Sequence, residues 1–287
     1  MGAKYSLGRT LFMVENLSVV YHTKKGPKTI IKDVNMTEKD ALRPGVITGQ
    51  RIALVGISGC GKSTFLRAFT GLAKPTEGRI LVADLSPQAK EGSANIVQAG
   101  EMGFVDQKYT LFRHRTVNSA LMYALRRSGL SEKEKIEKVE SSLQTWGLTG
   151  VKDQYPESLS GGQRQRTAIL EQILCSQHFM VLDEPFSGQD VINIRESKKS
   201  FDVLADHDEF STILFTTHQL EIAVEISDSI YIMGYPTVNG EKQTYGTMIK
   251  HYDLKEMGLA WGEFGAMHRE LVKDIEDFMW ENSNKAV

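Results

Sequence analysis

Short apolar runs bounded by polar turns alternate along this chain with longer segments whose apolar residues recur every three or four positions. Near the N-terminus, residues 11–14, 17–21 and 29–35, with a turn signal at 24–27, predict strands of an antiparallel sheet. Runs 179–182, 212–216 and 230–233 are continuous and apolar, the pattern of strands buried on both faces of a parallel sheet, and a further apolar run at 52–55 reads as a strand. Residues 116–176 carry few strand signals and mix charges at helical spacing over 131–143, which predicts an inserted helical piece. Toward the C-terminus, Phe264, Met267, Leu271, Ile275 and Phe278 form one apolar stripe on a charged helix, expected to dock on the core. No internal repeat and no low-complexity linker interrupts the pattern.

Directly after run 52–55 stand Gly56, Ile57, Ser58, Gly59, Cys60, Gly61, Lys62 and Ser63. A glycine, four residues, a second glycine, a lysine and a hydroxyl residue make a phosphate-binding loop, which chance alone would produce in about 1% of chains this long. Glycines let the backbone wrap a phosphate with its amides turned inward. The next segment, 62–72, puts Phe65, Leu66, Phe69 and Leu72 on one helical face, so a helix N-terminus points at the bound anion. On this reading Lys62 reaches the β- and γ-phosphates, Ser63 ligates magnesium and Thr64 touches the α-phosphate, which makes a nucleoside triphosphate and Mg2+ the expected ligands.

With 287 residues and a formal net charge of −2, the chain suits one large or two modest globular units and has no global basic field. Nucleic acid is therefore not expected as a partner. No run approaches the ~20 apolar residues that cross a bilayer, and the N-terminus does not read as a secretion signal, so the expected place is the cytoplasm. The two cysteines, Cys60 and Cys175, make neither a disulfide framework nor a metal cluster. Cys60 stands at a helix start, where the expectation is an acidified thiol shielded from alkylation by nucleotide.

A phosphate loop serves many reactions, so its company decides. Ser160, Gly161, Gly162 and Gln163 form a second glycine-rich turn at a helix start, and Asp183 and Glu184 end an apolar strand, a costly place for two carboxylates unless metal or water uses them. In this order the chain resembles the ATP-binding-cassette (ABC) ATPases across roughly residues 11–235: Walker A at Lys62 and Ser63, the signature motif at Ser160 to Gln163, and Walker B at Asp183 and Glu184. Gln107 matches the Q-loop, 187–190 the D-loop ending in Asp190, His218 the switch histidine and Tyr21 the adenine-stacking aromatic. Departures are Asp106 before Gln107, Gly188 and Gln189 in the D-loop, Glu171 where arginine is common, and a long segment 37–49 ahead of Walker A.

The resemblance implies an α/β fold: a P-loop NTPase with a RecA-like parallel sheet core, an N-terminal antiparallel β-subdomain and an inserted helical subdomain. Its expected division is 1–107 with 177–250 as the ATP-binding core, 108–176 as the helical signature subdomain and 251–287 as a helical extension. It also implies a head-to-tail dimer with an identical or related cassette. In that dimer Asp183 holds magnesium mostly through water, Glu184 is the general base, His218 contacts the γ-phosphate, and Gln107 touches magnesium or the attacking water. Ser160, Gly161, Gly162 and Gln163 complete the cradle in trans, with Asp190 among the nucleotide contacts. A single cassette without a membrane span resembles the motor subunit of an importer, of the nitrate, sulfonate and taurine kind. That implies transmembrane permease subunits, a solute-binding protein and a place on the cytoplasmic face of the membrane. A separate exporter cassette and a soluble non-transport ATPase are the alternatives.

Overall fold

The computed structural model describes residues 4–46, 49–85, 89–90, 92–175, 178–189, 191–205 and 211–284. Its N-terminal third is built on a long hairpin, β1 (Ser6–Thr23) with β2 (Gly26–Leu42), paired from Ser6↔Leu42 to Thr23↔Gly26. Two of the predicted runs are one strand. Asn16 takes φ 48° in an irregular stretch of the ladder, and its N–H donates to Asn35 Oδ1 at 3.0 Å, so the chain kinks without leaving the sheet. Much of the long segment before Walker A is strand as well: β2 runs on to Leu42 and pairs with the start of β1. Strands β4 (Glu77–Ala83) and β5 (Ala94–Ile96) complete this antiparallel sheet in the order β2-β1-β4-β5.

The second sheet holds β3 (Gln50–Gly56), β6 (Gly103–Val105), β7 (Phe179–Leu182), β8 (Thr212–Thr216), β9 (Ser229–Gly234) and β12 (Thr247–Asp253). Among the described residues its order is β12-β9-β3-β8-β7-β6, parallel throughout except for β12 on β9. A small hairpin, β10 (Thr237–Val238) with β11 (Glu241–Lys242), stands between β9 and β12.

Both faces of the parallel sheet are covered, which is why its strands read as unbroken apolar runs. Ile52 and Leu54 of β3 point into a core shared with β1, β2 and helix α1 (Lys62–Phe69), while Ala53 and Val55 point into the opposite core. That second core is covered by α2 (Val117–Ala124), α3 (Glu132–Thr145), α4 (Gly161–Cys175), α5 (Val191–Ala205), α6 (Leu220–Ile226) and α7 (Ala266–Asn284). Helix α1 is shorter than its pattern predicts. The Thr70 hydroxyl donates to the Leu66 carbonyl at 2.9 Å and Gly71 takes φ 71°, so Leu72 falls outside the helix and is exposed.

The C-terminal stripe docks through Leu271, Val272 and Ile275, with Phe264 and Phe278 partly covered. Met267 is 62% exposed and does not take part. His268 is buried instead, its Nδ1 accepting the Gly265 N–H at 3.1 Å and its Nε2 lying 3.0 Å from the Leu259 carbonyl. Among the described residues no helix is long and apolar enough to cross a membrane.

Candidate active site

Parallel pairing brings the predicted motifs together. Val105 pairs with Leu182, Leu182 with Phe215 and Leu54 with Thr216, so the carboxyl ends of β6, β7, β8 and β3 share one edge. Open parallel sheets present ligand sites at that edge. Gln107, Asp183, Glu184, His218 and the glycine loop all leave the sheet there.

Gly56, Gly59 and Gly61 shape the loop. A β-carbon on Gly56 would lie 2.2 Å from the Met233 carbonyl oxygen, and one on Gly61 would lie 2.5 Å from Ile31 Cγ2. Gly61 also takes φ 108° as the N-cap of α1, where its carbonyl accepts the Phe65 N–H at 2.8 Å. Phe65 and Phe69 anchor the helix below, Phe69 meeting Phe12 edge-on with centroids 4.9 Å apart. The ammonium of Lys62 folds back on the loop and donates to the Gly56 carbonyl at 2.7 Å.

Opposite the loop, Thr216 at the end of β8 organises two carboxylates. Its hydroxyl donates to Asp183 Oδ1 at 2.7 Å and accepts the Glu184 N–H at 2.8 Å. Asp183 is held further by its own N–H, which donates to the Val105 carbonyl at 2.9 Å. Glu184 takes φ 51°, a left-handed conformation uncommon for a residue with a β-carbon, and such strain collects where surrounding structure over-determines it. Glu184 Oε2 lies 2.9 Å from His218 Nδ1, the glutamate side chain largely covered and the histidine ring largely exposed. Gln107 Nε2 donates to Ser187 Oγ at 3.3 Å.

One open cleft of about 490 Å³ gathers Gly56, Ser58, Gly59, Gly61, Lys62, Ser63, Thr64, Gln107, Asp183, Glu184 and His218, with Ile30 and Ser187 beside them. Amide donors, a cation, a hydroxyl, two carboxylates, an imidazole and a carboxamide thus face one space, equipment suited to a polyanion and an activated water. Sequence reasoning missed Thr216 and Ile30 and placed Ser187 only within the D-loop. Only Thr216 left a signal, a polar residue closing an otherwise apolar strand.

Other predicted residues stand elsewhere. Tyr21 is exposed on β1 and does not line the cleft. The signature residues also lie outside it: Ser160 and Gln163 bond reciprocally at the start of α4, the Ser160 N–H to Gln163 Oε1 at 2.9 Å and the Gln163 N–H to Ser160 Oγ at 3.3 Å. Gly161, on the first turn of that helix, is exposed. Asp190 lies outside the described residues. The expectation for Cys60 is corrected: its side chain is fully buried and burial pushes the thiol up rather than down, outweighing nearby Lys62. A second open groove of about 500 Å³ runs between the segment after Gln107 and the approach to α4, lined by Lys108, Tyr109, Arg113, Glu157 and Arg164 among others.

The profile described as "ABC transporter" matches residues 41–187. The sulfate/thiosulfate import ATP-binding protein CysA of Synechococcus elongatus is 35% identical over 78% of this chain and 60% of its own length. CysA 1 of Chromobacterium violaceum is 35% identical over 77% of this chain and 60% of its length. The chain thus spans about 60% of the length of these curated relatives. Among solved structures, the dimeric ABC transporter cassette MJ0796 superposes with a TM-score of 0.65 at 21% identity, over 85% of this chain and 99% of that one. The cbiO1 subunit from Clostridium perfringens, part of the transporter complex cbiONQ, superposes at 0.66 with 23% identity, over 95% and 97%. These likenesses support the fold.

Proposed function

Since the chain belongs to the ABC transporter family, we propose that it is an ATP-hydrolysing motor subunit of a membrane transporter, an importer of a small solute. The observation that carries this reading is the single cleft in which Lys62, Ser63, Asp183, Glu184, Gln107 and His218 converge.

Each residue has a role in that reading. Loop amides from Gly56 through Thr64, the N-terminus of α1 and Lys62 bind the phosphates. To do so Lys62 exchanges the Gly56 carbonyl for phosphate oxygen, a stronger, charge-assisted partner. Tyr21 on β1 pairs with Lys28 of β2, two residues before Ile30 of the cleft, and offers an exposed ring for adenine. Glu184 takes a proton from the attacking water, oriented by the Thr216 bond to its amide and by His218. His218 and Lys62 stabilise charge on the γ-phosphate as the bond breaks. The residues fit magnesium: Ser63 hydroxyl, Asp183 carboxylate and Gln107 amide oxygen are hard ligands, and too few to cage the ion, as suits a metal also held by phosphate and water. Bound there, magnesium supplies charge neutralisation.

Ser160, Gly161, Gly162 and Gln163 lie outside the cleft of their own subunit, which supports a second cassette supplying them in trans. Residues 108–176 then form a helical unit carried on the core of 1–107 and 177–250, followed by the extension 251–287. Permease subunits dock a cytoplasmic segment in the groove beside Gln107, which places the chain on the cytoplasmic face of a membrane, with a solute-binding protein delivering cargo. CysA relatives are named for sulfate and thiosulfate import, so these oxyanions are the first cargo to test.

The test compares the parent chain with Glu184→Gln. Loss of at least ~10²-fold in phosphate release with unchanged ATP affinity is expected. Undiminished hydrolysis by the variant removes Glu184 from its role, and a parent chain that splits no ATP overturns the function.

A further inference from the structure

We infer that Gln189 is a positioning residue of the proposed ATPase, holding the turn that carries Glu184 and the signature helix α4 as one unit. The inference rests on the reading of Glu184 as general base and adds a residue to it.

The Pro185 carbonyl, one residue after Glu184, meets three donors: Gln189 Nε2 at 2.7 Å, Gln165 Nε2 at 2.8 Å and the Tyr109 hydroxyl at 2.9 Å. Gln189 Nε2 also donates to Gln165 Oε1 at 2.9 Å. The Ser197 hydroxyl lies 2.7 Å from both Gln165 Oε1 and Gln189 Oε1 and donates to one of them at a time. Gln165 and Ser197 are 2% and 3% exposed. One carboxamide thereby joins the segment after Gln107, the turn after β7, the signature helix and α5.

Proline fixes its own φ, so holding its carbonyl fixes the chain on the far side of Glu184, while Thr216 holds the Glu184 N–H on the near side. Ser187 adds its N–H to the Glu184 carbonyl at 3.1 Å. A left-handed glutamate persists only when bonds on both sides insist on it. Gln165 sits on the same helix that begins at the signature turn, so the base of one ATP site and the signature turn offered to the other move together.

Leucine at 189 removes the clamp without orphaning a buried group. Pro185 keeps Tyr109 and Gln165, and Ser197 keeps Gln165. The expected result for Gln189→Leu is a fall of about tenfold in kcat with KM for ATP within about twofold and an unchanged melting temperature. Gln189→Glu turns a carboxylate on the Pro185 and Gln165 oxygens and is expected to be slower still at neutral pH. Its activity recovers relative to the parent as the pH falls and the carboxyl regains a proton to donate, a profile that a packing role does not produce. Gln189→Met repeats the measurement should the leucine variant fail to fold. Parental kcat in the folded leucine or methionine variant overturns the inference alone. So does a glutamate variant whose relative activity is flat with pH. A parent chain without ATPase activity overturns the underlying reading and the inference with it.

Discussion

Gly61 lies at the meeting point of three requirements: it takes φ 108°, caps α1 and passes so close to β2 that a β-carbon would lie 2.5 Å from Ile31 Cγ2. Alanine there costs roughly 1–2 kcal/mol from the left-handed backbone alone, before the contact with Ile31 is relieved. Gly61→Ala is therefore expected to lower stability by at least that amount and to weaken ATP binding, because relief moves the loop amides; denaturant unfolding and nucleotide titration read the two effects. Glu171 is a second residue whose surroundings set its chemistry. Buried on α4, it is pushed up to about 7 by burial, against the pull of Arg115 and Arg126. A carboxyl raised in the folded state binds its proton longer than in the unfolded chain, so folding loses stability as pH climbs from about 4.5 to about 7. Glu171→Gln removes that loss, and its melting temperature is expected to exceed the parent's by more at pH 8 than at pH 5. An equal difference at both values would place the Glu171 charge outside the stability balance.

Among elements, α7 separates pattern from packing. Ile275 is fully buried and Met267 is 62% exposed, although both fall on the same predicted stripe. Ile275→Ala is expected to cost about 2–5 kcal/mol through lost burial and a cavity, while Met267→Ala stays within about 0.5 kcal/mol; equilibrium unfolding of both variants checks the pair. The helical period was legible because five apolar residues repeat at three- and four-residue steps. Which part of the stripe is covered was not legible, because that depends on where α6 and residues 254–260 end beneath it. The same limit applies to β1. Alternation marked its two halves, yet the bond from Asn16 to Asn35 that joins them crosses between strands far apart in sequence.

At the scale of the whole molecule, the nucleotide cleft and the signature turn are on separate parts of one subunit, and that separation predicts assembly. Glu184→Gln with ATP is expected to form a dimer that light scattering reads at twice the parent mass, and the parent chain is expected to return to monomer as ATP is spent. Monomers that split ATP at full speed would dissolve the need for a partner. On the proposed reading a permease segment takes the groove beside Gln107; Tyr109 lines that groove while donating to the Pro185 carbonyl, so a segment docked there sits one hydrogen bond from the turn carrying Glu184.

The order of Gly56 to Ser63, Gln107, Ser160 to Gln163, Asp183, Glu184 and His218 determined the family resemblance, and all of these but the signature turn determined nearly all of the cleft, because those motifs follow strand ends that parallel pairing aligns. Tertiary structure alone decided the companions. Thr216 acquires two carboxylate-turn bonds, Gln189 acquires Gln165 and Ser197, and Lys255, with its side chain 1% exposed, donates to Ser229 Oγ at 2.8 Å beside buried Glu38. Spacing along a chain sets which face a residue takes within its own helix or strand, whereas the partner of a buried polar group is chosen by packing between elements.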